Sequence, residues 1–398
     1  MSEPLQKVEI ISNGRAEYPD VVFNLTFEEL IVLDFFSTDF SQWTTLGDSD
    51  AVVLVDGSTG PIVSGGDGVS LVLVTPFGFV NQSLSGSNAL GLFGTETKVV
   101  VNVGIINGDV ATGSGGDLIV NFGFMDFDVR TGAGDDIFIN DQITVDGLSS
   151  FGFVGGTVFM GSGDDIVLNS FGLGDVNLGA GNDFYAAITP LSLEDNFDNP
   201  LVTAGEIRAG TGNDTVFGGA NDDRIFGGSG NDILNGHNGN DLIAGGNNKD
   251  RINGGNGDDR LFGQNGSDRL DGGKGNDIVN GGNGGDMLIG GRNDDILTGG
   301  TGSDTFRFFG DSGADVITDF EAGRDVLEFT KGDFTDLDVL AYTTYADGNA
   351  FIDLTGLYRS LADSPSSVEG ISITLLGIDE GDLTIDNIAA PSDPLLAM

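Results

Sequence analysis

The feature that most constrains this chain is a nine-residue pattern that repeats without a gap from residue 209 to residue 307. Eleven consecutive units fit it, beginning with AGTGNDTVF and GGANDDRIF and ending with GGTGSDTFR. The sixth position is Asp in all eleven units, and the eighth is always a large apolar residue. In a repeat of this length, each unit buries its apolar side only by stacking on its neighbours. The pattern therefore predicts a solenoid.

Each slot of the repeat has a physical reason. Gly at positions one, two and four predicts a tight turn with positive φ angles and close backbone approach. Where position four lacks Gly it carries Asn221, Asn248 or Asn293, and Asn tolerates the left-handed region best. His237 and Gln264 at position two fit the turn less well. Positions seven to nine predict a very short strand with the eighth side chain on one face, so six residues turn and three extend.

Two consecutive units make one coil, so units n and n+2 stack and their Asp side chains form a ladder along each edge. At a strand spacing of about 4.8 Å, bare carboxylates repel one another, and a hard cation between them makes the net interaction attractive. Calcium accepts six to eight carboxylate and carbonyl oxygens, whereas magnesium demands a small, rigid octahedron. The sequence thus predicts several calcium sites formed by Asp214, Asp223, Asp232, Asp241, Asp250, Asp259, Asp268, Asp277, Asp286, Asp295 and Asp304.

These units resemble the GGxGxDxUx nonapeptide of the RTX, or hemolysin-type calcium-binding, family. The resemblance implies calcium held between successive turns by Asp carboxylates and turn carbonyls, with about nine ions in the contiguous block. It also implies folding outside the cell after type I secretion. We expect a calcium-free block that is unfolded and becomes β-rich when calcium is added.

The pattern extends upstream in looser form. DVATGSGGDLIV, DVRTGAGDDIFI, TVFMGSGDDIVL and DVNLGAGNDFYA place further candidate calcium ligands at Asp117, Asp136, Asp165 and Asp183. The intervals between these four Asp residues are unequal, and the second interval is the longest. Residues 95–208 are therefore interpreted as a degenerate β-solenoid in which one side of each coil keeps the calcium turn. KVVVNVGIING and QITVDGLSSFGF would form the other side. A stack of independent hairpins is the alternative.

The two ends are predicted to flank the solenoid. Residues 1–94 contain short β-like runs such as ELIVLDFF and AVVLV and are assigned to a β-rich N-terminal cap. Residues 308–398 are assigned to a C-terminal capping and secretion region, with degenerate repeat features and candidate ligands at Asp315 and Asp325. The predicted fold class is all-β: a right-handed parallel β-roll or β-helix solenoid with a β-rich N-terminal cap and a β-rich C-terminal flank.

Composition narrows the partners. The chain has 16 basic and 62 acidic side chains and a formal net charge of −46, which disfavours nucleic acid and favours divalent cations. It contains no Cys, which excludes disulfides and zinc–thiolate sites. The N-terminus MSEPLQKVEI lacks the pattern of a cleavable signal peptide, and the sequence has no apolar run long enough to span a bilayer. Together with the RTX resemblance, this predicts a secreted, extracellular bacterial protein without a cleavable N-terminal signal or a transmembrane segment.

Histidine content decides most of the enzyme question. The single histidine, His237, lies inside a repeat, so a zinc site of the HExxH type, which needs two histidines, is excluded. A Ser-His-Asp hydrolase is disfavoured because no GxSxG motif exists and the GDSG at residues 310–313 has no nearby base. A non-enzymatic protein is favoured, with no catalytic residue assigned. A carbohydrate-active β-helix formed by residues 1–208 and a toxin-like RTX exoprotein remain the alternatives.

A structural, adhesive or matrix-interaction role is the favoured function, with extracellular polysaccharide or a cell surface as partner beside the type I secretion machinery. Arg224, Phe226, Arg260 and Phe262 are expected to face outward two coils apart and form a candidate ligand patch. The alternative is that these arginines offset the acidic turns while the Phe rings cover strands.

Overall fold

The computed structural model describes residues 89–145, 148–187, 205–309, 312–329, 336–355 and 371–389, together with short strands between Val8 and Asn81. This part of the chain contains 42 strands, one six-residue helix α1 (Asp336–Ala341) and one 3₁₀ turn (Ile385–Asn387). The prediction of an all-β protein is confirmed. Two compact units are formed, Met1–Gly210 and Thr211–Met398.

The strands of the first unit are β1 (Val8–Glu9), β2 (Val22–Phe23), β3 (Glu29–Leu33), β4 (Thr44–Leu46), β5 (Ala51–Val55), β6 (Ser58–Thr59), β7 (Ile62–Ser64), β8 (Ser70–Val74), β9 (Phe79–Asn81), β10 (Leu90–Leu92), β11 (Lys98–Asn102), β12 (Ile105–Asn107), β13 (Val110–Ala111), β14 (Leu118–Asn121), β15 (Phe124–Met125), β16 (Val129–Ala133), β17 (Ile137–Asn140), β18 (Gln142–Val145), β19 (Leu148–Phe151), β20 (Phe153–Val154), β21 (Val158–Ser162), β22 (Ile166–Asn169), β23 (Val176–Ala180) and β24 (Phe184–Ala187). Strand β25 (Ile207–Thr211) contains the boundary between the units.

Most strands of the first unit stack in three parallel sheets. The first has the order β3-β5-β8-β11-β14-β17-β22-β24, the second includes β4, β7, β10, β13, β16, β21 and β23, and the third has the order β20-β15-β12-β9-β6. Residues one coil apart lie in register, and the apolar column Val100, Ile119, Phe138 and Val167 is fully buried in the first sheet. This is a parallel β-solenoid, as predicted, and not a stack of independent hairpins.

A local insertion explains the longest interval between the upstream repeats. Strands β18 and β19 form an antiparallel hairpin in which Gln142 pairs with Phe151 and Val145 with Leu148. The hairpin lies between β17 and β20, so it lengthens the coil that leads from Asp136 to Asp165 while the parallel pairing on either side is kept. The segment QITVDGLSSFGF is therefore mainly an insertion and not a regular rung.

The strands of the second unit are β26 (Thr215–Gly219), β27 (Arg224–Ser229), β28 (Ile233–Asn238), β29 (Leu242–Asn247), β30 (Arg251–Asn256), β31 (Arg260–Asn265), β32 (Arg269–Lys274), β33 (Ile278–Asn283), β34 (Met287–Arg292), β35 (Ile296–Thr301), β36 (Thr305–Phe308), β37 (Ala314–Ile317), β38 (Val326–Phe329), β39 (Thr343–Ala346), β40 (Asn349–Asp353), β41 (Ser372–Leu376) and β42 (Ile388–Ala389).

The nonapeptide block folds into two parallel sheets, one from alternate units and the other from the units between them. Strands β26, β28, β30, β32, β34, β36, β38 and β42 form the first, which we call the odd sheet, and β27, β29, β31, β33, β35 and β37 form the even sheet. Each coil spans two nonapeptides, because Ile252 pairs with Leu270 and Gly255 pairs with Gly273. The eighth-position side chains, from Val216 to Phe306, are all buried between the sheets.

Strands in this block are longer than the sequence predicted. Strands β27 to β35 are six residues each and run from position seven of one unit to position three of the next. The expectation of three extended residues was wrong because in-register stacking continues the backbone pairing past the glycines.

Backbone angles refine the role assigned to Gly. Position two takes a positive φ throughout and position four in most units, as at Gly255 and Gly257, whereas position one does not. His237 and Gln264 both adopt a φ of 74°, and Asn248 and Asn293 adopt 80°, so these residues follow the turn that Gly would make. Asn221 does not take a positive φ.

The C-terminal flank is β-rich, as predicted. Strand β41 pairs in parallel with β37 and antiparallel with β40, which also pairs with β39. Strand β42 pairs in parallel with β38. The flank therefore extends both sheets of the second unit beyond the last nonapeptide.

Candidate metal centre

All eleven sixth-position Asp side chains are buried, with between 0% and 4% of each residue exposed. They form two columns, one along each edge of the roll where a turn leads into a strand. In each column, Oδ1 of an Asp accepts a hydrogen bond from the backbone N–H of the Asp one coil earlier. Asp259 Oδ1 accepts from Asp241 at 2.7 Å, and Asp277 Oδ1 accepts from Asp259 at 2.8 Å. The predicted ladders are therefore tied to the backbone.

The second oxygen of these carboxylates is in a different state. Within the described residues, Oδ2 is buried and has no hydrogen-bond partner at Asp223, Asp232, Asp241, Asp250, Asp259, Asp268, Asp277, Asp286, Asp295 and Asp304. Burying a charged oxygen without a partner costs several kcal/mol, so such atoms normally bind a cation or a proton. A whole column of them indicates that a ligand is part of the folded state.

Position-one glycines show what else faces each Oδ2. A Cβ placed on Gly254 would lie 2.2 Å from Asp259 Oδ2 and 2.7 Å from the carbonyl oxygen of Gly272. The same relation recurs at Gly272, where the neighbours are Asp277 Oδ2 and the Gly290 carbonyl oxygen, both at 2.4 Å. A carboxylate oxygen and a backbone carbonyl oxygen thus converge beside most of the position-one glycines. Hard oxygen ligands of these two kinds are those that calcium prefers.

The pKa values of the ladder carboxyls also indicate that these buried groups need a cation or a proton. Burial is the main cause that raises the pKa of these carboxyls above 3.8, and neighbouring carboxylates add to it, while the hydrogen bond from the backbone N–H lowers it. The pKa rises to about 6 for Asp259, Asp286 and Asp304, to about 7 for Asp223, Asp250 and Asp277, and to about 8 for Asp241 and Asp295. The site therefore needs positive charge to hold ionised carboxylates at neutral pH.

The six additional candidate calcium ligands differ in whether their Oδ2 atom accepts a hydrogen bond. Asp117, Asp136, Asp165 and Asp183 form a ladder of the same kind in the first unit, with N–H to Oδ1 distances of 2.7 to 2.9 Å. Oδ2 has no hydrogen-bond partner in the described residues at Asp136, Asp165 and Asp315. By contrast, Oδ2 of Asp117 accepts the Gly113 N–H, and Oδ2 of Asp325 accepts the Glu321 N–H. Asp117 and Asp325 thus resemble capping residues more than open ligands.

Side chains alone do not make a metal cluster here. No group of three or more His, Cys, Asp or Glu that could hold a metal ion occurs among the described residues. Each coil supplies one ladder carboxylate per edge, and backbone carbonyl oxygens lie beside most of the position-one glycines. None of the helices in the described ranges is long and apolar enough to cross a membrane.

A second, exposed ladder lies next to the buried one and was missed from the sequence. At position five of the even-sheet edge, Asp258 N–H donates to Asn240 Oδ1 at 2.7 Å, and Asn276 N–H donates to Asp258 Oδ1 at 2.8 Å. The column begins at Asp222 and continues through Asp294 to the backbone of Ala314. The frequent Asp and Asn at position five were the signal that could have predicted it.

The outward residues singled out from the sequence lie on the even sheet. Arg224 and Arg260 both pair with Leu242, and Phe226 and Phe262 both pair with Ala244, so one strand lies between the two members of each pair. Both arginines are exposed and both Phe residues are half-buried. The expected placement two coils apart is correct, and the role of the patch in binding stays a prediction.

Comparison with known protein families identifies the block. Four copies of the family model for the RTX calcium-binding nonapeptide repeat match residues 208–243, 244–279, 271–306 and 280–317. Residues 208–317 are RTX repeats. The buried Asp ladders of the block therefore lie within repeats that match the calcium-binding nonapeptide model. None of the curated proteins searched matches the chain.

Three solved structures resemble parts of the chain. The extracellular lipase LipA from Serratia marcescens is 20% identical, with 52% of this chain and 45% of the lipase covered and a TM-score of 0.27. The AlgE6R3 subunit of the Azotobacter vinelandii mannuronan C5-epimerase is 23% identical, with 38% of this chain and 83% of the subunit covered and a TM-score of 0.19. A Ca²⁺-dependent β-helical antifreeze protein from an Antarctic bacterium is 18% identical, with 76% of this chain and 75% of the antifreeze protein covered and a TM-score of 0.28. The chain spans less than half of the lipase, and TM-scores this low support no inference about function.

Proposed function

We propose that this RTX protein is a secreted calcium-binding protein whose roll folds as it takes up many calcium ions, and that the folded roll serves a structural, adhesive or matrix-interaction role. The observation that carries the proposal is the column of buried Oδ2 atoms that have no hydrogen-bond partner in the described residues. Each one lies beside a position-one glycine, and at most of them a backbone carbonyl oxygen lies beside the same glycine.

The residues proposed to hold calcium are the sixth-position Asp side chains from Asp214 to Asp304, joined by Asp136, Asp165, Asp183 and Asp315. When bound, calcium supplies positive charge between stacked carboxylates. The chain supplies Oδ2 and the turn carbonyls, holds each carboxylate in place through the Oδ1 hydrogen bond, and excludes water by close stacking. Asp117 and Asp325 belong to the proposed set with a weaker role, because backbone N–H groups occupy their Oδ2 atoms.

The free energy of calcium binding is large enough to explain why calcium would control folding. Extracellular calcium modules have dissociation constants of roughly 0.1 to 1 mM. At about 10 mM free calcium, one such site contributes roughly 1.4 to 2.7 kcal/mol to the free energy of unfolding. About nine sites then contribute about 12 to 25 kcal/mol, which equals or exceeds the whole stability of an ordinary domain. At cytosolic calcium levels this contribution vanishes, and the repulsion between buried carboxylates remains.

Calcium titration of the purified chain tests the folding proposal. Circular dichroism should show little β-structure in EGTA at pH 7.5 and a cooperative gain as calcium rises to 10 mM. Equilibrium dialysis with ⁴⁵Ca should count several ions per chain, and magnesium at the same concentration should not replace them. An identical folded spectrum in EGTA and in calcium would refute the proposal.

Secretion is supported by this calcium dependence, because the proposed fold needs the calcium concentration found outside cells. We expect export by a type I system that uses the C-terminal flank. Deleting the residues after Glu380 should retain the protein inside bacteria that carry such an exporter, while the full chain appears in the medium. Unchanged export of the truncated chain would overturn this part of the proposal.

The adhesive or matrix role is supported by the architecture, in which two long, regular sheets present repeated side chains outward. Calcium-folded protein should bind to the surface of the producing cells or to their extracellular polysaccharide, and EGTA should release it. Binding that is equal in calcium and in EGTA would contradict a role for the folded roll.

A further inference from the structure

The odd sheet carries a groove that none of the calcium-site features explains. Its floor is formed by Gly255, Gly273 and Gly291, which lie in register on strands β30, β32 and β34. The position-nine side chains form one wall, and the position-three side chains form the other. The cavity has a volume of about 540 Å³ and is lined by Asn235, Asn253, Asp271, Asn256, Lys274 and Arg292, with His237 and Phe309 also contributing.

The groove exists because Gly, which has no side chain, occupies most of its floor. Gly273 has a φ of 107°, and a Cβ placed on it would lie 2.2 Å from the carbonyl oxygen of Gly255. Position two is therefore bare in coil after coil, while positions nine and three remain free to vary. His237, which pairs with Gly255, is the exception and narrows one end. A trough that runs across the strands is the result.

The length of the trough follows from the stacking. From His237 to Gly291 there are three strand spacings, which at about 4.8 Å each give about 14 Å. An extended chain molecule fits such a shape better than a compact small molecule does.

The walls combine two kinds of chemistry. Asn235 and Asn253 offer amide donors and acceptors, and the Asp271 carboxylate, 3.5 Å from the Arg269 guanidinium, accepts hydrogen bonds. Such groups match hydroxyls, which both donate and accept. On the opposite wall, Lys274 pairs with Arg292 in adjacent strands, which places two exposed cations side by side. Two adjacent cations match carboxylate or sulfate groups.

Charge on this sheet is unusual for the chain. The odd sheet holds Arg251, Arg269, Lys274, Arg292 and Arg307, whereas the nonapeptide strands of the even sheet hold only Arg224 and Arg260. Two of the odd-sheet cations form ion pairs on the same sheet, Arg269 with Asp271 and Arg307 with Glu328. The whole chain has a net charge of −46. At physiological salt, charges farther apart than about 8 Å are largely screened, so the local cations decide what binds in the groove. Calcium in the ladders would reduce the remaining repulsion.

We propose that this groove, with hydroxyl-binding amides on one wall and the Lys274–Arg292 pair on the other, binds an acidic saccharide chain of the uronate class. The inference rests on the proposed function, because the groove forms only in the calcium-folded roll. It names the odd sheet as the binding surface of that roll, and not the patch around Arg224 and Arg260 on the even sheet.

Binding of trigalacturonate to the full chain in 10 mM calcium, followed by isothermal titration calorimetry, tests the inference. Lys274→Glu with Arg292→Glu should weaken the affinity at least tenfold, and Lys274→Gln with Arg292→Gln should weaken it less. Arg224→Glu with Arg260→Glu makes the same charge change on the other sheet and should leave the affinity within twofold. A neutral maltotriose should not bind.

Several results would overturn the inference: no binding of trigalacturonate by the unaltered chain, equal loss in both glutamate variants, binding of maltotriose with similar affinity, or tighter binding of a single-stranded oligonucleotide. Circular dichroism on the same samples separates the two proposals. A chain that folds with calcium but does not bind the saccharide refutes the groove alone, and a chain that does not fold with calcium refutes the proposed function. If the glutamate variants fail to fold, the glutamine pair decides.

Discussion

Replacing Asp259 by Asn tests the ladder most directly, because the adjacent Asp258 offers a matched control. Asp259 is buried, and its Oδ2 has no hydrogen-bond partner in the described residues. Asp258 is exposed, and its Oδ1 accepts the Asn276 N–H at 2.8 Å. Asn already occupies the same exposed column at positions 240 and 276. Both substitutions remove one negative charge and keep Oδ1, but only Asp259→Asn removes a proposed calcium ligand.

The expected effect has two parts. Each bound ion adds about 1.4 kcal/mol to the free energy of unfolding per tenfold rise in calcium above its dissociation constant. Asp259→Asn should therefore lower the dependence of unfolding free energy on calcium by about 1.4 kcal/mol per decade, whereas Asp258→Asn should leave it unchanged. At low calcium and pH 7.5, Asp259→Asn should favour the folded state by about 3 kcal/mol, because a pKa raised from 3.8 to about 6 marks the cost of the buried charge.

Urea unfolding followed by circular dichroism at 1, 3, 10 and 30 mM calcium measures the first part, and the amount of β-structure that each variant keeps in EGTA tests the second. Equilibrium dialysis should count one ion fewer for Asp259→Asn. The same calcium dependence in Asp259→Asn and Asp258→Asn would refute the assignment of the buried Oδ2 atoms as ligands. A decrease in both variants would show that net charge, and not the site, controls calcium-dependent folding.

Three further predictions follow from the geometry. Gly254→Ala places a Cβ 2.2 Å from Asp259 Oδ2 and should raise the calcium concentration at the midpoint of folding. In the control variant Gly285→Ala, the new Cβ lies near only the Ser303 carbonyl oxygen, at 3.1 Å, and the midpoint in the same titration should be nearly unchanged. Gln264→Val places a β-branched residue at a φ of 74° and should cost about 1 to 3 kcal/mol in urea unfolding, while Gln264→Gly should be tolerated. The ladder carboxyls have pKa values raised from 3.8 to about 6 to 8. Between about pH 4 and pH 8 the folded chain therefore binds more protons than the unfolded chain. The stability of the calcium-free chain should then fall as pH rises through that window. Circular dichroism in EGTA should therefore show more β-structure at pH 5 than at pH 8, and the reverse order would contradict the assigned burial.

The sequence predicted the parts of the fold that depend on strict periodicity. A period of nine places Asp259 in an edge ladder and Leu261 inside, as the structure shows, although the burial of Asp259 was not predicted. Stacking of units n and n+2 follows from the same period, and the pairing of Leu261 with Val279 confirms it. These features are local, because each one follows from the residue types within a single unit.

Features that depend on pairing between coils could not be predicted from the units alone. The third sheet of the first unit is formed by strands as short as Phe124–Met125 and Phe153–Val154, which have no local periodicity. Their partner is fixed only by the stack, where the rings of Phe124 and Phe153 lie 5.2 Å apart. Position-one glycines were assigned a conformational role, but Gly254 instead leaves space beside Asp259 Oδ2. The groove was missed because its walls appear only when every second unit is aligned.

The Oδ1 hydrogen bonds also give the stack a direction. Each ladder Asp accepts the N–H of the Asp one coil nearer the N-terminus, so the N–H of a ladder Asp is capped by a residue that comes later in the chain. At the far end, Asp295 and Asp304 depend on Asp315 and Asp325, which lie beyond the last nonapeptide. Within the ladder, removing the C-terminal coil leaves an Asp N–H without its side-chain acceptor, whereas removing the N-terminal coil leaves an Asp Oδ1 without its donor. The last members of both ladders therefore depend on the C-terminal flank for the acceptors of their backbone N–H groups.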